Sequence, residues 1–129
     1  MALPHAQPLD VIDVHPTASG PALAQAPSTS LIKTAQMQLL HLVLPAHHDT
    51  PSHHVDQECT LHCLRGRVEV VMPGGVRTLQ AGQLVLLPAG QAHSLRARED
   101  STVLATLRLR AGDTGDGTGR APDQGEDDA

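Results

Sequence analysis

The chain contains no phenylalanine, tyrosine or tryptophan. Its core must therefore be filled by Leu, Val, Ala and a few Ile and Met, and the aromatic platforms on which single-stranded nucleic acid and sugar rings stack are missing. A basic surface is missing as well. Residues 111–129 hold six acids (Asp113, Asp116, Asp123, Glu126, Asp127, Asp128) against Arg120, and the remaining body balances eight acids with eight bases. A neutral body with an acidic tail has no footprint for DNA or RNA. There is no uninterrupted apolar run of membrane-spanning length, and the start MALPHAQPLD lacks the charged and apolar regions of a signal peptide. The expected compartment is the cytoplasm, with no membrane partner. Cysteine is scarce too: only Cys59 and Cys63 are present. On one extended strand their Cα atoms would stand roughly 13 Å apart, beyond the ~7 Å reach of a disulfide, so both are expected as free thiols in a reducing compartment.

Histidine is abundant by contrast, with nine residues, four of them (His47, His48, His53, His54) within eight positions. The 129 residues suffice for a single domain. Residues 1–34 read as an N-terminal arm: the Pro-, Ala- and Ser-rich stretch 15–30 has no apolar period, while Leu9–Val14 (LDVIDV) reads as a short strand for a sheet edge. Residues 111–129 offer Gly and Asp and almost nothing to bury, the composition of a disordered tail.

Between these ends the signals are those of closely spaced strands. Apolar runs at Met37–Leu44, Thr60–Leu64, Arg67–Met72, Val76–Leu79, Leu84–Leu87, His93–Ala97 and Thr102–Leu109 are separated by short segments, most of them rich in Gly and Pro. Gly and Pro supply the backbone angles of tight turns. No segment sustains a helical period, so residues 35–110 are expected to form an all-β sandwich or small barrel. Val68, Val70 and Met72 should line one face. Apolar residues on both faces of Met37–Leu44 suggest a homodimer that buries the outer faces of Leu40, Leu42 and Leu44.

The segment GQLVLLPAGQAH places Gly82, Pro88, Gly90 and His93 at intervals of five, one and two residues. This pattern resembles the second signature motif of the cupins, although the family's last position, often Asn, is Ala97 here. ECTLHCLRGRVEV followed by GQLVLLPAGQAHSLRA is similar to a branch of small bacterial single-domain cupins. The resemblance implies a cupin-type double-stranded β-helix, or jelly-roll barrel, over residues 35–110. It also implies a divalent metal (Zn, Fe, Mn or Ni) held at the barrel centre by histidines and a glutamate. In the first motif, counted back from Gly66, the Glu slot falls on Cys59, and the two registers of the motif leave one histidine each, His53 or His54. Glu58 is one residue away, and such a slip turns a strand side chain to the opposite face.

The metal ligands that the resemblance implies are thus His93, one of His53 and His54, and Cys59. The thiol dioxygenases, another cupin branch, also place Cys where Glu is usual, but their partner Tyr has no counterpart here. A thiolate would favour zinc or a softer metal. The competing reading makes Cys59 and Cys63 small buried fillers, the commoner fate of free cysteine. His47 and His48 read as exposed loop residues, His62 as lying outside the barrel, and His41 as a hydrogen-bonded core histidine. Arg96 and Arg98 read as a solvated rim, with an anion anchor as the alternative. No phosphate loop or nucleophile elbow is present, so no cofactor-binding or catalytic residue is assigned. The function expected is binding of a small molecule, with or without a divalent metal, inside the barrel. The alternative is a metal-dependent isomerase or dioxygenase of a small organic substrate.

Overall fold

The computed structural model describes residues 5–14 and 28–109. Eight strands follow one another: β1 (Thr29–Lys33), β2 (Met37–Leu44), β3 (Cys59–Arg65), β4 (Arg67–Met72), β5 (Gly75–Gln80), β6 (Leu84–Leu87), β7 (Ser94–Ala97) and β8 (Ser101–Arg108). The described residues contain no helix. The strands form two antiparallel sheets, one five-stranded in the order β1-β2-β8-β3-β6 and one three-stranded in the order β5-β4-β7.

Period-two alternation decides what lies between the sheets. On β3, Cys59, Leu61 and Cys63 are buried while Thr60 and His62 are half-buried on the opposite face. On β4, Val68 and Val70 are fully buried and Met72 packs partly against them. Leu44, Leu79, Leu87, Leu95, Ala97, Val103 and Ala105 complete the interior. Aliphatic side chains and the two cysteines thus fill the hydrophobic core without an aromatic ring.

Two turn positions show why glycine is needed. Gly66, in the β3–β4 turn, has φ +86, and a Cβ there would run into Ser101 Oγ and the Asp100 carbonyl. Gly82, with φ +90, begins the turn into β6, and its N–H donates to the Cys63 carbonyl at 2.8 Å. Left-handed backbone costs other L-residues roughly 1–2 kcal/mol.

Three expectations need correction. Leu9–Val14 forms no strand: the chain turns at Leu9 (φ 75), and Leu9 and Val11 are almost wholly exposed. The edge strand is Thr29–Lys33 instead, which pairs with β2 across a bulge between Ser30 and Ile32, so the sheet begins before residue 35. Leu40, Leu42 and Leu44 do not form an outer face: Leu44 is buried, and Leu40 and Leu42 pack against the core. Leu39, His41 and Val43 point the other way, because a strand apolar on both faces carries no signal of its orientation. His41 is half-buried, but its Nε2 is buried without a hydrogen-bond partner among the described residues, and burial lowers its pKa. The acidic tail, residues 111–129, lies outside the described residues.

Candidate functional site

The site forms where the connection between β2 and β3 runs along the free edge of β7. His47 N–H donates to the Ala97 carbonyl at 2.8 Å, Ala97 N–H to the His48 carbonyl at 3.0 Å, and Thr50 N–H to the Leu95 carbonyl at 2.9 Å. At the end of this track His53 and His93 exchange both backbone hydrogen bonds, each 2.9 Å. In such a pair the two side chains leave the same face of the ladder. Their rings meet with centroids 4.5 Å apart and planes tilted by 54°. His93 is 3% exposed and shares the strand parity of the buried Leu95 and Ala97, so it faces the barrel interior. On the other side, Gly90 N–H donates to the Val55 carbonyl at 2.8 Å, tying the turn of the second motif to the segment that carries His53.

Hydrogen bonding sets the tautomers. His93 Nδ1 lies 3.0 Å from the Gln91 carbonyl, and His53 Nδ1 lies at a longer 3.5 Å from the Pro51 carbonyl. A carbonyl only accepts, so Nδ1 carries the proton and each Nε2 presents a lone pair. Burial is the main cause that lowers both pKa values. The carbonyls act in the opposite direction, and charge on the neighbouring histidines lowers them further. The pair therefore stays neutral at pH 7, the state in which imidazole ligates a metal.

Of the residues expected at the site, the structure brings His53 and His93 together. His54 is exposed, and its Nε2 lies 4.0 Å from an Asp56 carboxylate oxygen. Cys59 is inside, paired with Leu87 on one side and Leu107 on the other. Burial pushes its thiol up to about 11, so the free side chain is a neutral thiol among aliphatic neighbours, not the thiolate that ligation requires. Among the described residues no three His, Cys, Asp or Glu side chains form a group able to hold a metal ion. The donor set thus fits a divalent ion in part: two imidazoles are in place, and further donors would have to come from a bound ligand or water.

His47 and His48 are exposed, and His62 lies on the outer face of its strand. Arg96 and Arg98 are engaged on the outer face of the small sheet: Arg96 Nε lies 3.2 Å from Asp49 and its Nη1 3.5 Å from Glu69, and Arg98 Nη1 lies 4.0 Å from Glu69. A surface depression of about 360 Å³, lined by Gly66, Arg67, Gln80, Ala81 and Glu99, shares no residue with the histidine pair. The sequence reading missed the carbonyls of Pro51 and Gln91, which orient the two rings. Each stands two residues before its histidine, the only local hint available.

Two antiparallel sheets around an aliphatic interior, with a histidine of the Gly82–His93 motif aimed inward, define a small β-barrel of the jelly-roll type. The chain belongs to the cupin domain family, whose model matches residues 40–113. Among solved structures it is similar to a conserved protein of unknown function from Streptococcus pyogenes (17% identity, 85% of this chain and 96% of that one, TM-score 0.67). A cupin superfamily protein from Desulfitobacterium hafniense DCB-2 matches at 12% identity over 85% and 99% of the two chains, with a TM-score of 0.67. KdgF from Halomonas sp. matches at 20% identity over 67% and 80%, with a TM-score of 0.59. At these identities the likeness shows the fold alone. No curated protein matches the chain in sequence.

Proposed function

We propose that the protein is a small-molecule-binding cupin whose ligand sits at the His53–His93 pair, with a divalent metal held there through both Nε2 atoms. The observation that carries this reading is the pairing of two neutral imidazoles whose Nδ1 atoms are turned to backbone carbonyls. Imidazole nitrogens suit Zn, Fe and Ni. A bound ion would polarise an oxygen atom of the small molecule, and that molecule would supply the remaining donors. A metal-dependent isomerase or dioxygenase draws less support, since the described residues contribute two ligands and no placed acid or base beside them. The two free buried thiols fit a reducing compartment, the cytoplasm.

The test is metal analysis of protein purified without a His-tag, followed by thermal melts with added Zn, Fe, Mn or Ni. At least one of these ions should raise the melting temperature by several degrees, as expected for a ligand that binds only the folded state. His93→Ala and His53→Ala should each weaken that binding by about 100-fold or more. His54→Ala and Cys59→Ser should leave it unchanged. A protein that holds no metal, and whose melt and spectra none of the four ions changes, overturns the metal reading. Binding that survives both His53→Ala and His93→Ala would move the site to His47 and His48.

A further inference from the structure

The pleat of the small sheet sorts its arginines. Arg96 lies between the buried Leu95 and Ala97, and Arg67 precedes the buried Val68, so both leave the outer face. Arg77 is different. It stands opposite the fully buried Val70 and two residues before the buried Leu79, and paired residues of an antiparallel ladder share a face. Its side chain therefore sets out from the inward face, on the exposed edge strand β5. The ion pairs of the small sheet engage Arg67, Arg96 and Arg98. None among the described residues includes Arg77, whose Nη1 donates to the Val76 carbonyl at 3.4 Å.

The guanidinium lies in line with the histidine pair. The β4–β5 register sets Met72 against Gly75, and the β4–β7 register, continued one residue beyond Val71↔Ser94, sets Met72 against His93. With the His53↔His93 bridge this makes one inward row, Gly75–Met72–His93–His53. Arg77 starts two residues along β5 from that row, yet its Nη1 lies 3.8 Å from where a Cβ on Gly75 would stand. Gly75 has no side chain to take that place. The row thus carries a guanidinium at one end and two neutral imidazoles at the other, with Met72 between them. Neighbouring strands are spaced by about 4.8 Å, so Gly75 stands about 10 Å from His93.

We propose that Arg77 is the anion anchor of the site and that the ligand is a short aliphatic acid. Its carboxylate lies on the Arg77 guanidinium, its carbon chain crosses Gly75 and Met72, and its far end presents an oxygen donor at His53 and His93. This rests on the reading of the histidine pair as the ligand site and adds the chemical class of the ligand. A planar guanidinium without an acidic partner matches a carboxylate through two parallel N–H···O bonds. One guanidinium balances the single charge of a carboxylate, whereas a phosphate, with nearly two charges, would be left half balanced. Gly75 and Met72 offer no strong hydrogen-bonding side chain, so the part of the ligand that crosses them is apolar. Arg77 is exposed, so solvent screening limits what the contact contributes.

The experiment is calorimetric titration of the full chain, metal-free and with added Zn, with malonate, succinate and glutarate. At least one of the three should bind, and its uncharged diamide should bind about tenfold more weakly or worse. Arg77→Gln should weaken binding of the acid about tenfold and leave binding of Zn alone unchanged. Arg77→Lys should recover part of the loss, since an ammonium keeps the charge but not the fork. Arg96→Gln removes the same charge from the outer face and should change nothing. Because Arg77 is exposed, its variants should melt as the wild type does, which separates a lost anchor from a lost fold. The inference is overturned if none of the three acids binds, or if Arg77→Gln binds them as tightly as the wild type. A loss confined to His53→Ala and His93→Ala would remove Arg77 and leave the histidine site standing. A loss confined to Arg77→Gln would instead overturn the histidine pair as the other end of the ligand.

Discussion

The two sheets share one interior but turn different chemistry outward. Across the small sheet, one cross-strand row reads Thr78–Glu69–Arg96–Asp49, a line in which acid and base alternate. Across the large sheet the corresponding rows read Leu39–Thr106–Thr60–Leu86 and His41–Leu104–His62–Leu84, without a formal charge in either. Each inward face is aliphatic because the core must exclude water, and that requirement is the same for both sheets. The outward faces are free of it, so they differ in chemistry: charged side chains pair across the small sheet, whereas the large sheet presents uncharged rows.

The largest expected effect tests the interior that the sheets share. Leu61→Ala removes a side chain that is 3% exposed at the centre of β3 and should cost about 2–5 kcal/mol in a denaturant melt, through lost transfer energy and the cavity left behind. Leu86→Ala, on the outer face of the neighbouring strand, should change the stability of the isolated monomer by no more than about 0.5 kcal/mol. Similar losses at the two positions would mean that the assignment of inner and outer faces is wrong.

Acid separates the regions next. Burial lowers the pKa of His41, on the large sheet, and of His53 and His93, at the edge of the small one, from the ordinary 6.5. The unfolded chain takes up protons at these positions before the folded chain does. Their neutral forms therefore lose stability as pH falls below 6.5, and the loss levels off below the folded values. The melting temperature should decline through that window as pH falls from 7, while the alkaline side is governed instead by the buried thiols, whose raised pKa values cost stability once pH passes the ordinary 9.0. His93→Gln should make the acid decline shallower, and an unchanged slope would show that His93 is not buried in its neutral form.

The smallest effect belongs to the charged row. Glu69→Gln removes the carboxylate that both Arg96 and Arg98 approach, yet the arginine side chains are nearly half exposed, so the loss should be at most about 1 kcal/mol and should fade with added salt. A loss of several kcal/mol, insensitive to salt, would show that this face is buried against something.

Much of the molecule follows from local rules that the sequence obeys on its own. Met37–Leu44, Arg67–Met72 and Leu84–Leu87 are strands with the bounds their apolar runs and turn residues imply. The alternation on β3 places Cys59, Leu61 and Cys63 inside and His62 outside for the same reason: a period of two is a property of the extended backbone and needs no partner. The spacing from Gly82 to His93 carries the family resemblance and directs one histidine inward. Tertiary structure decided the rest. Residues 47–53 have no strand signal, and their path is set by hydrogen bonds to β7 more than forty residues away in the chain; only that long-range register selects His53 over His54 for the interior. The direction of Leu40, Leu42 and Leu44 was equally undetermined, because β2 is apolar on both faces and the layer that covers one of them belongs to other strands. The neutral thiol of Cys59 and the place of β6 at the end of its sheet are likewise products of packing, since burial and strand order arise only when distant segments meet.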